Sequence, residues 1–209
     1  RETTCFVFCD FSKAFDKVWH KGLLHKLMSY GISGQMHKWF LNYLTDRKQS
    51  VICKDKVSSS RPIKAGVPQG SVLGPLLFLI YINDIGDRLV SLTRLFADDT
   101  SLGYSSRNQL EIKRVIDNDL KELDKWSKDW LMSFNPNKTE IMIFSNVEIE
   151  NDLKFALNGQ DIPIVSHHKQ LGINFSDDAK SNYHIEHLIK NISKHLNVLR
   201  KLKFQLNMT

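Results

Sequence analysis

The sequence has few cysteines and no long apolar run, and each absence excludes a class of protein. The three cysteines, Cys5, Cys9 and Cys53, are odd in number and form no CxxC pair, so neither a disulfide framework nor a zinc ribbon is indicated. We therefore expect a reducing, intracellular compartment. The longest apolar run, around residues 76–82, is far shorter than the roughly 18 residues of a membrane span, so we expect no membrane partner.

No signal peptide is recognisable in the sequence. The chain starts at Arg1, without an initiator methionine, and soon enters a strand-like segment. We interpret the chain as an internal fragment of a longer protein. Its 209 residues predict one domain with at most a small second element. The 42% hydrophobic and 25% charged residues are typical of a globular chain and exclude a disordered one. The net charge of +6 favours an anionic partner such as nucleic acid, although many basic proteins bind none.

Hydrophobic patterning predicts an α+β fold, in which an antiparallel sheet is backed by helices. A run of β-formers at 3–9 predicts a buried strand, and Ser12 is placed to cap a helix that continues to Leu27. Short strands on either side of Asp98-Asp99 predict a β-hairpin. The other predicted elements are a helix at 37–44, a hairpin of 49–53 with 57–60, helices at 76–85 and 110–126, a strand at 140–145, two or three short strands before 175, and a long amphipathic helix at 185–202.

Three carboxylates, Asp10, Asp98 and Asp99, lie at the ends of apolar strands. A carboxylate beside a buried strand loses hydration unless a cation compensates for it. If the strand before Asp10 lies beside the Asp98 hairpin, the carboxylates converge, and a divalent metal would relieve their mutual repulsion. Oxygen ligands suit Mg²⁺ or Mn²⁺, and two such ions support in-line displacement at phosphorus in polymerases and nucleases.

Each carboxylate also has a purely structural interpretation of about equal weight. Asp10 is a suitable helix cap or turn residue, and Asp98-Asp99 is a suitable exposed hairpin tip. A tight two-residue turn prefers Gly or Asn, however, because these residues accept positive φ at little cost. Two adjacent like charges are therefore a poor choice for a turn that serves folding alone.

Several segments resemble, in order, the motifs of reverse transcriptases from non-LTR (LINE-type) retrotransposons, and they are most similar to the jockey group. Residues 9–20 (CDFSKAFDKVWH) resemble motif A, residues 66–75 (GVPQGSVLGP) resemble motif B, and residues 96–99 (FADD) resemble motif C. Residues 135–144 (NPNKTEIMIF) are similar to motif D, and Leu171-Gly172 begins a segment similar to the primer grip. A lone Asp-Asp pair is weak support, whereas three motifs in order and at fitting separations are specific.

The resemblance implies a polymerase palm at 1–176, which includes part of the fingers, followed by the start of a helical thumb at 177–209. It implies that Asp10 and Asp98 hold two Mg²⁺ or Mn²⁺ ions, that Asp99 assists them, and that the backbone carbonyl of Phe11 is a further ligand. The fingers segments that precede motif A in this family, and the endonuclease domain, are missing from the sequence.

Four further residues are implied to contact the nucleotide, and each has a structural alternative. Phe15 occupies the steric-gate position that excludes a ribose 2′-hydroxyl; its alternative is a core aromatic on an amphipathic helix. Gln69 and Gly70 would line the floor under the template and the nucleotide, or form an ordinary loop that leads into a helix. Lys138 would steady or protonate the leaving pyrophosphate, or be a plain turn lysine.

The C-terminal part is implied to contact the nucleic acid. Leu171 and Gly172 would belong to the primer grip. Basic residues of the last helix would contact backbone phosphates without reading sequence; those assigned this role are Lys190, Lys194, Arg200 and Lys201. The alternative for this helix is a solvated face on a helix docked against the palm. We expect His167-His168 to lie in a loop, and we expect no metal role for His184 and His187.

The resemblance implies an RNA-directed DNA polymerase that takes an RNA template, a DNA primer and dNTPs. It further implies assembly with the element's own RNA as a ribonucleoprotein in the cytoplasm and nucleus. We hypothesise that this stretch alone is unable to perform the reaction without its fingers. The competing interpretations are a non-enzymatic remnant that only binds nucleic acid, another palm polymerase of the group II intron or telomerase type, and a nuclease, which would leave motif B unexplained.

Overall fold

The computed structural model describes residues 2–147, 149 and 153–205. A short 3₁₀ helix (Ala14–Asp16) accompanies the following elements. In chain order they are β1 (Thr3–Cys9), α1 (His20–Ser29), α2 (Gly34–Leu44), β2 (Lys48–Gln49), β3 (Ile52–Cys53), β4 (Lys56–Val57), β5 (Arg61–Pro62), α3 (Leu73–Ile82), β6 (Leu92–Phe96), β7 (Asp99–Ser106), α4 (Gln109–Asp129), β8 (Glu140–Phe144), β9 (Phe155–Leu157), β10 (Gln160–Ile162), β11 (His167–Gln170), β12 (Ile173–Ser176) and α5 (Asn182–Gln205).

A four-stranded antiparallel sheet in the order β6-β7-β1-β8 lies at the centre of the fold. Strand β1 alternates strictly: Cys5, Val7 and Cys9 are buried, whereas Phe6 and Phe8 on the other face are half-buried. This is the period-two pattern of a strand with one face against a core. Burial raises the pKa of the Cys5 and Cys9 thiols to about 12, which keeps both protonated. The predicted α+β class and the predicted strand at 3–9 are confirmed.

Helices cover the inner face of this sheet. Helix α4 packs against β1 and β7 through buried residues at helical spacing, among them Ile112, Ile116 and Leu123. Asn108 caps α4, since its side chain accepts a hydrogen bond from the amide of Leu110. Helix α3, which is apolar throughout, packs against α1 and contacts the 3₁₀ helix. No helix in the described part of the chain is long and apolar enough to cross a membrane.

The helix predicted from Ser12 is wrong as a single element. Lys13 adopts a positive φ of 55°, only a 3₁₀ turn follows it, and α1 begins at His20. The cause is tertiary, because the carbonyls of Phe15 and Val18 accept hydrogen bonds from Val67 and Gly66 instead of helical amides. The segment between Ser12 and His20 is therefore shaped by the loop before α3, which no local pattern reveals.

Three further expectations require correction. Asp98-Asp99 is not the hairpin turn, because Phe96 pairs with Asp99 and the turn residues are Ala97 and Asp98. His167-His168 is not a loop, because both residues lie in β11, which pairs with β12. The helix predicted at 76–85 exists as α3 but begins and ends three residues earlier.

The predicted C-terminal helix is confirmed as α5, which packs against β12. Its apolar residues remain largely exposed, as at Ile189 (60%) and Leu199 (61%). The start of α5 does dock on the β11 and β12 strands, since Tyr183 stacks on His167 and His184 accepts a hydrogen bond from the amide of Asn174. The interpretation of α5 as a docked helix with a solvated face therefore stays an alternative. Lys190, Lys194, Arg200 and Lys201 are exposed on the same helix.

Candidate active site

The three predicted carboxylates meet at one end of the central sheet. Antiparallel pairing places Cys9 opposite Thr100. Asp10, which follows Cys9, therefore lies beside Asp99, which precedes Thr100. Asp98 occupies the adjoining turn, next to Ala97 at a φ of 52°. A positive φ is uncommon for a residue with a β-carbon, and such strain is often found at functional sites. We refer to Asp10, Asp98 and Asp99 as the carboxylate edge.

The negative charges of the carboxylate edge outnumber the positive charges beside it. Desolvation raises the pKa of Asp99, and the nearby carboxylates of Asp98 and Asp10 raise it further, while His168 acts in the opposite direction. Oδ2 of Asp10 is buried without a hydrogen-bond partner. The ammonium of Lys138 lies 3.3 Å from this oxygen, close enough for an ion pair but without hydrogen-bond geometry.

These features fit a divalent cation, since a buried carboxylate oxygen that accepts no hydrogen bond and a second nearby carboxylate are oxygen donors of the kind that Mg²⁺ and Mn²⁺ take. Across the described residues, however, no three His, Cys, Asp or Glu side chains already form a metal-binding group. The carboxylate edge therefore resembles an open site, of the type that is completed by substrate phosphates and water rather than by protein ligands alone.

The backbone around Asp10 is fixed by the segment before Lys138. The amide of Asn135 donates to the carbonyl of Asp10 (2.7 Å), and the amide of Ser12 donates to the carbonyl of Ser133 (2.8 Å). This pairing uses Asp10 and Ser12 and not the carbonyl of Phe11, the predicted metal ligand. The Phe11 ring is buried and stacks on Phe134 at 4.6 Å. The motif A and motif D segments are thus joined directly beneath the carboxylate edge.

The motif A and motif B segments are joined in the same way. The amide of Val67 donates to the carbonyl of Phe15, the amide of Gly66 donates to the carbonyl of Val18, and Nε2 of His20 donates to the carbonyl of Gly66, each at 2.8 Å. Gly66 has a φ of +93°, and an added β-carbon would lie 2.9 Å from the carbonyl oxygen of Asp16. Only glycine fits this close approach of two backbones.

Three residues predicted to contact the nucleotide cluster at this junction. Phe15 is partly buried and stacks on Phe78 at 4.6 Å, so it lies at the core boundary and not within an amphipathic helix. Gln69 is exposed and donates to Oδ1 of Asp16 at 3.1 Å. Gly70 has a φ of +81° and open space around its α-carbon.

An open groove of about 600 Å³ lies beside the junction and is lined by Gln69 together with Lys13, Arg47 and Lys64. The pairing of β2 with β5 brings Arg47 and Lys64 together, since the amide of Ile63 donates to the carbonyl of Arg47. Three cations beside a groove attract phosphates. The sequence interpretation missed these basic residues, because nothing in their local pattern distinguishes them from ordinary surface charges. The contacts of Asp16 and His20 with the loop before α3 were also missed, although both residues lie within the motif A segment.

The predicted primer-grip residues form the turn between β11 and β12. Leu171 and Gly172 have φ values of 49° and +84°, which is the two-residue arrangement of a type I′ turn. Leucine is a poor residue for positive φ, and here its side chain is 56% exposed. The structure places this turn at a hairpin tip and places Lys190 and the other basic tail residues on the separate helix α5.

An antiparallel sheet backed by helices, with carboxylates at one end and a glycine-rich loop beside them, defines a polymerase palm. The chain belongs to the reverse transcriptase (RNA-dependent DNA polymerase) family, which it matches over residues 1–175.

Two relatives from Drosophila melanogaster show the group within this family. The chain is 37% identical over 147 residues to a probable RNA-directed DNA polymerase from transposon BS, which covers 64% of this chain and 16% of that protein. It is 30% identical over 199 residues to the RNA-directed DNA polymerase from mobile element jockey, covering 90% of this chain and 21% of that protein. The predicted jockey-like, non-LTR identity is confirmed, and the chain spans only about a fifth of these relatives.

A solved structure of the same fold is apo telomerase from Candida tropicalis truncated from its C-terminal domain. The two superpose with a TM-score of 0.58 at 12% sequence identity, over 86% of this chain and 36% of that one. At this identity the likeness supports the fold alone, and it agrees with the palm assignment.

Proposed function

We propose that this chain is the palm of an RNA-directed DNA polymerase that extends a DNA primer on an RNA template with dNTPs. The observation that carries the proposal is the carboxylate edge, where a buried oxygen of Asp10 accepts no hydrogen bond and the charges of Asp10 and Asp98 act on Asp99. In domain terms, residues 1–176 form the palm with part of the fingers, and 177–209 begin the thumb. The natural assembly would be a ribonucleoprotein with the element's own RNA in the cytoplasm and nucleus.

In this proposal Asp10 and Asp98 would hold two divalent ions, with Asp99 and the carbonyl of Phe11 as supporting ligands. When bound, such ions stabilise charge on the attacking and leaving oxygens of an in-line displacement. The remaining task of the protein is to position the reactants and to supply charge. Lys138 already lies 3.3 Å from Asp10, so its ammonium is available to a leaving pyrophosphate at the same place.

Other residues would select and orient the substrates. The ring of Phe15, held by Phe78, would lie under the sugar and exclude a 2′-hydroxyl. Gln69 and Gly70 would support the template base and the incoming nucleotide, where an absent side chain permits a close approach. Leu171 and Gly172 would contact the primer. The exposed bases of α5, Lys190, Lys194, Arg200 and Lys201, would contact phosphates of the duplex.

Primer extension on poly(rA)–oligo(dT) with dTTP and Mg²⁺ tests the proposal. The assay compares this chain, and a longer product that includes residues encoded upstream of Arg1, with an Asp98→Asn variant of each. We expect Asp98→Asn to reduce extension by about 10³-fold or more, because several kcal/mol of charge stabilisation are lost. The matched control is Asp161→Asn, which removes an exposed carboxylate on β10 and should leave the rate unchanged.

Comparing this chain with the longer protein tests the hypothesis that the chain cannot perform the reaction without its fingers. Extension by the longer product alone supports a palm that needs its fingers, whereas robust extension by this chain alone overturns that part of the hypothesis. Loss of extension in every protein, with retained binding of the primer–template, would replace the proposal with a nucleic-acid-binding remnant. Equal rates for Asp98→Asn and the unaltered chain would remove the carboxylate edge from the mechanism.

A further inference from the structure

His168 links three strands near the carboxylate edge. Its ring stacks on Phe8 of β1 with centroids 3.8 Å apart and planes 11° apart. Its Nδ1 donates to Oε2 of Glu140 in β8 at 2.7 Å, and its Nε2 lies 3.0 Å from Oε1 of Gln170. Phe8 precedes Asp10 by two residues, and Glu140 follows Lys138 by two. One side chain of β11 thus contacts the two strands that position the catalytic aspartate and its lysine.

The hairpin of β11 and β12 depends on such side-chain contacts for its position. In the described part of the chain it forms a two-stranded sheet of its own, separate from the four-stranded sheet. Backbone hydrogen bonds attach the preceding segment to β8, through Ile141 with Pro163 and Val165, but these end two residues before β11. Beyond that point the His168 side chain is 12% exposed and enclosed between Phe8 and Glu140, so it is well placed to fix the hairpin.

We propose that His168 is a positioning residue that holds the turn of this hairpin, Leu171-Gly172, at a fixed distance from the carboxylate edge. The proposal rests on the proposed function, in which that turn contacts the primer. His168 has no contact with the reacting atoms in this role. It restricts the hairpin by a flat stack and a charge-assisted hydrogen bond, and three residues further on this restriction sets where the primer strand is gripped.

Steady-state primer extension tests the proposal, with the primer–template and dTTP varied separately. We expect His168→Ala to raise KM for the primer–template by about 10- to 100-fold, the size of effect that small misplacements produce, with KM for dTTP unchanged. His168→Phe keeps the stack on Phe8 and should recover part of the loss. Direct binding of a fluorescent primer–template without dNTP should be weakest for His168→Ala, intermediate for His168→Phe and strongest for the unaltered protein.

His167→Ala is the matched control, because His167 is the neighbouring residue of β11 but stacks on Tyr183 of α5. It removes an equal side chain from the other face of the same strand and should change KM for the primer–template by less than about threefold. Circular dichroism and thermal unfolding check that each variant retains its fold, and His168→Phe remains informative if His168→Ala does not.

Three results would overturn the inference: an unchanged KM for the primer–template in His168→Ala, an equal change in His167→Ala, or a rise in KM for dTTP with none for the primer–template. The proposed function fails separately, when the unaltered protein extends no primer. In that case the binding measurement alone decides whether His168 positions the hairpin for the duplex.

Discussion

Two regions of this molecule place charged side chains against the core, and only one of them provides full compensation. On the helical side, Lys26 is 2% exposed, yet its ammonium donates to the carbonyl of Tyr81 and to Asp84 and lies 3.6 Å from the ring of Trp130. Trp126 donates to the same Asp84 oxygen at 2.9 Å. We call this group, formed by Lys26, Tyr81, Asp84, Trp126 and Trp130, the lysine cage.

The carboxylate edge has the opposite character. Its three carboxylates repel one another, and one buried oxygen of Asp10 accepts no hydrogen bond and has only the mostly exposed ammonium of Lys138 beside it. Burial lowers the pKa of Lys26, but hydrogen bonding and attraction from Asp84 act against that shift. At Asp99, by contrast, desolvation and the charges of Asp98 and Asp10 all raise the pKa. The lysine cage thus compensates its buried charge, whereas the carboxylate edge retains unfavourable charge, as the proposed divalent-ion site requires.

The largest expected effect comes from the lysine cage. Lys26→Met keeps the apolar stem but leaves Asp84 and the Tyr81 carbonyl without their cation, so the free energy of unfolding should fall by about 3 kcal/mol. This is the low end for a broken buried pair, because Asp84 is 29% exposed and retains Trp126. Urea unfolding followed by circular dichroism measures the change. Lys128→Met, which breaks an exposed pair with Asp124, should cost less than about 0.5 kcal/mol.

An unchanged or higher stability for Lys26→Met would break the comparison. It would place the lysine cage among buried ion pairs that apolar residues replace without loss, and the two regions would then not differ in how they contribute to folding.

A smaller effect is expected at the junction beside the carboxylate edge, where the charges are uncompensated but the backbone is tightly packed. Gly66→Ala should destabilise the fold by about 2 kcal/mol, because it combines positive φ with a contact of 2.9 Å to the Asp16 carbonyl. Gly70→Ala shares the positive φ but meets open space, so it should cost about 1 kcal/mol. Thermal and urea unfolding separate the two, and equal losses would mean that Gly66 is needed only for its φ.

The sequence predicted the parts of this fold that local pattern controls and missed those that distant contacts control. Period-two burial in β1 and helical spacing in α4 are properties of single segments, so both were found. The break after Ser12 depends on amides some fifty residues away. The burial of Lys26 depends on rings from α3 and α4, which no charge pattern along α1 indicates.

The candidate site followed the same division. The aspartates and the glycine-rich loop were found because their motifs are specific, and the structure brings Asp10, Asp98, Asp99 and Lys138 together. The positions of His168, Arg47 and Lys64 depend on strand pairing that places them beside those motifs. In the sequence alone, these three residues do not differ from ordinary polar surface residues.

The smallest expected effect tests the carboxylate edge itself. Asp99 has a pKa raised above its ordinary value in the folded chain, so its ionised form opposes folding at neutral pH. Asp99→Asn should therefore raise the free energy of unfolding in EDTA, by no more than about 0.5 kcal/mol because the group is partly solvated. The gain should be full at neutral pH, should shrink as pH falls below the folded pKa, and should vanish below the unfolded pKa, where the carboxyl is protonated in both states.

Magnesium should make the unaltered chain more stable to unfolding than Asp99→Asn, which reverses the order expected in EDTA. Binding to the folded state alone raises its stability in proportion to the logarithm of ligand concentration, and the unaltered carboxylate edge should gain more than Asp99→Asn, while Asp161→Asn should behave as the unaltered chain. A variant that is less stable in EDTA, or that gains as much from Mg²⁺ as the unaltered protein, would mean that Asp99 is a compensated structural group like Asp84. Opposite signs with and without the ion would identify the repulsion at this edge as the property that a cation relieves.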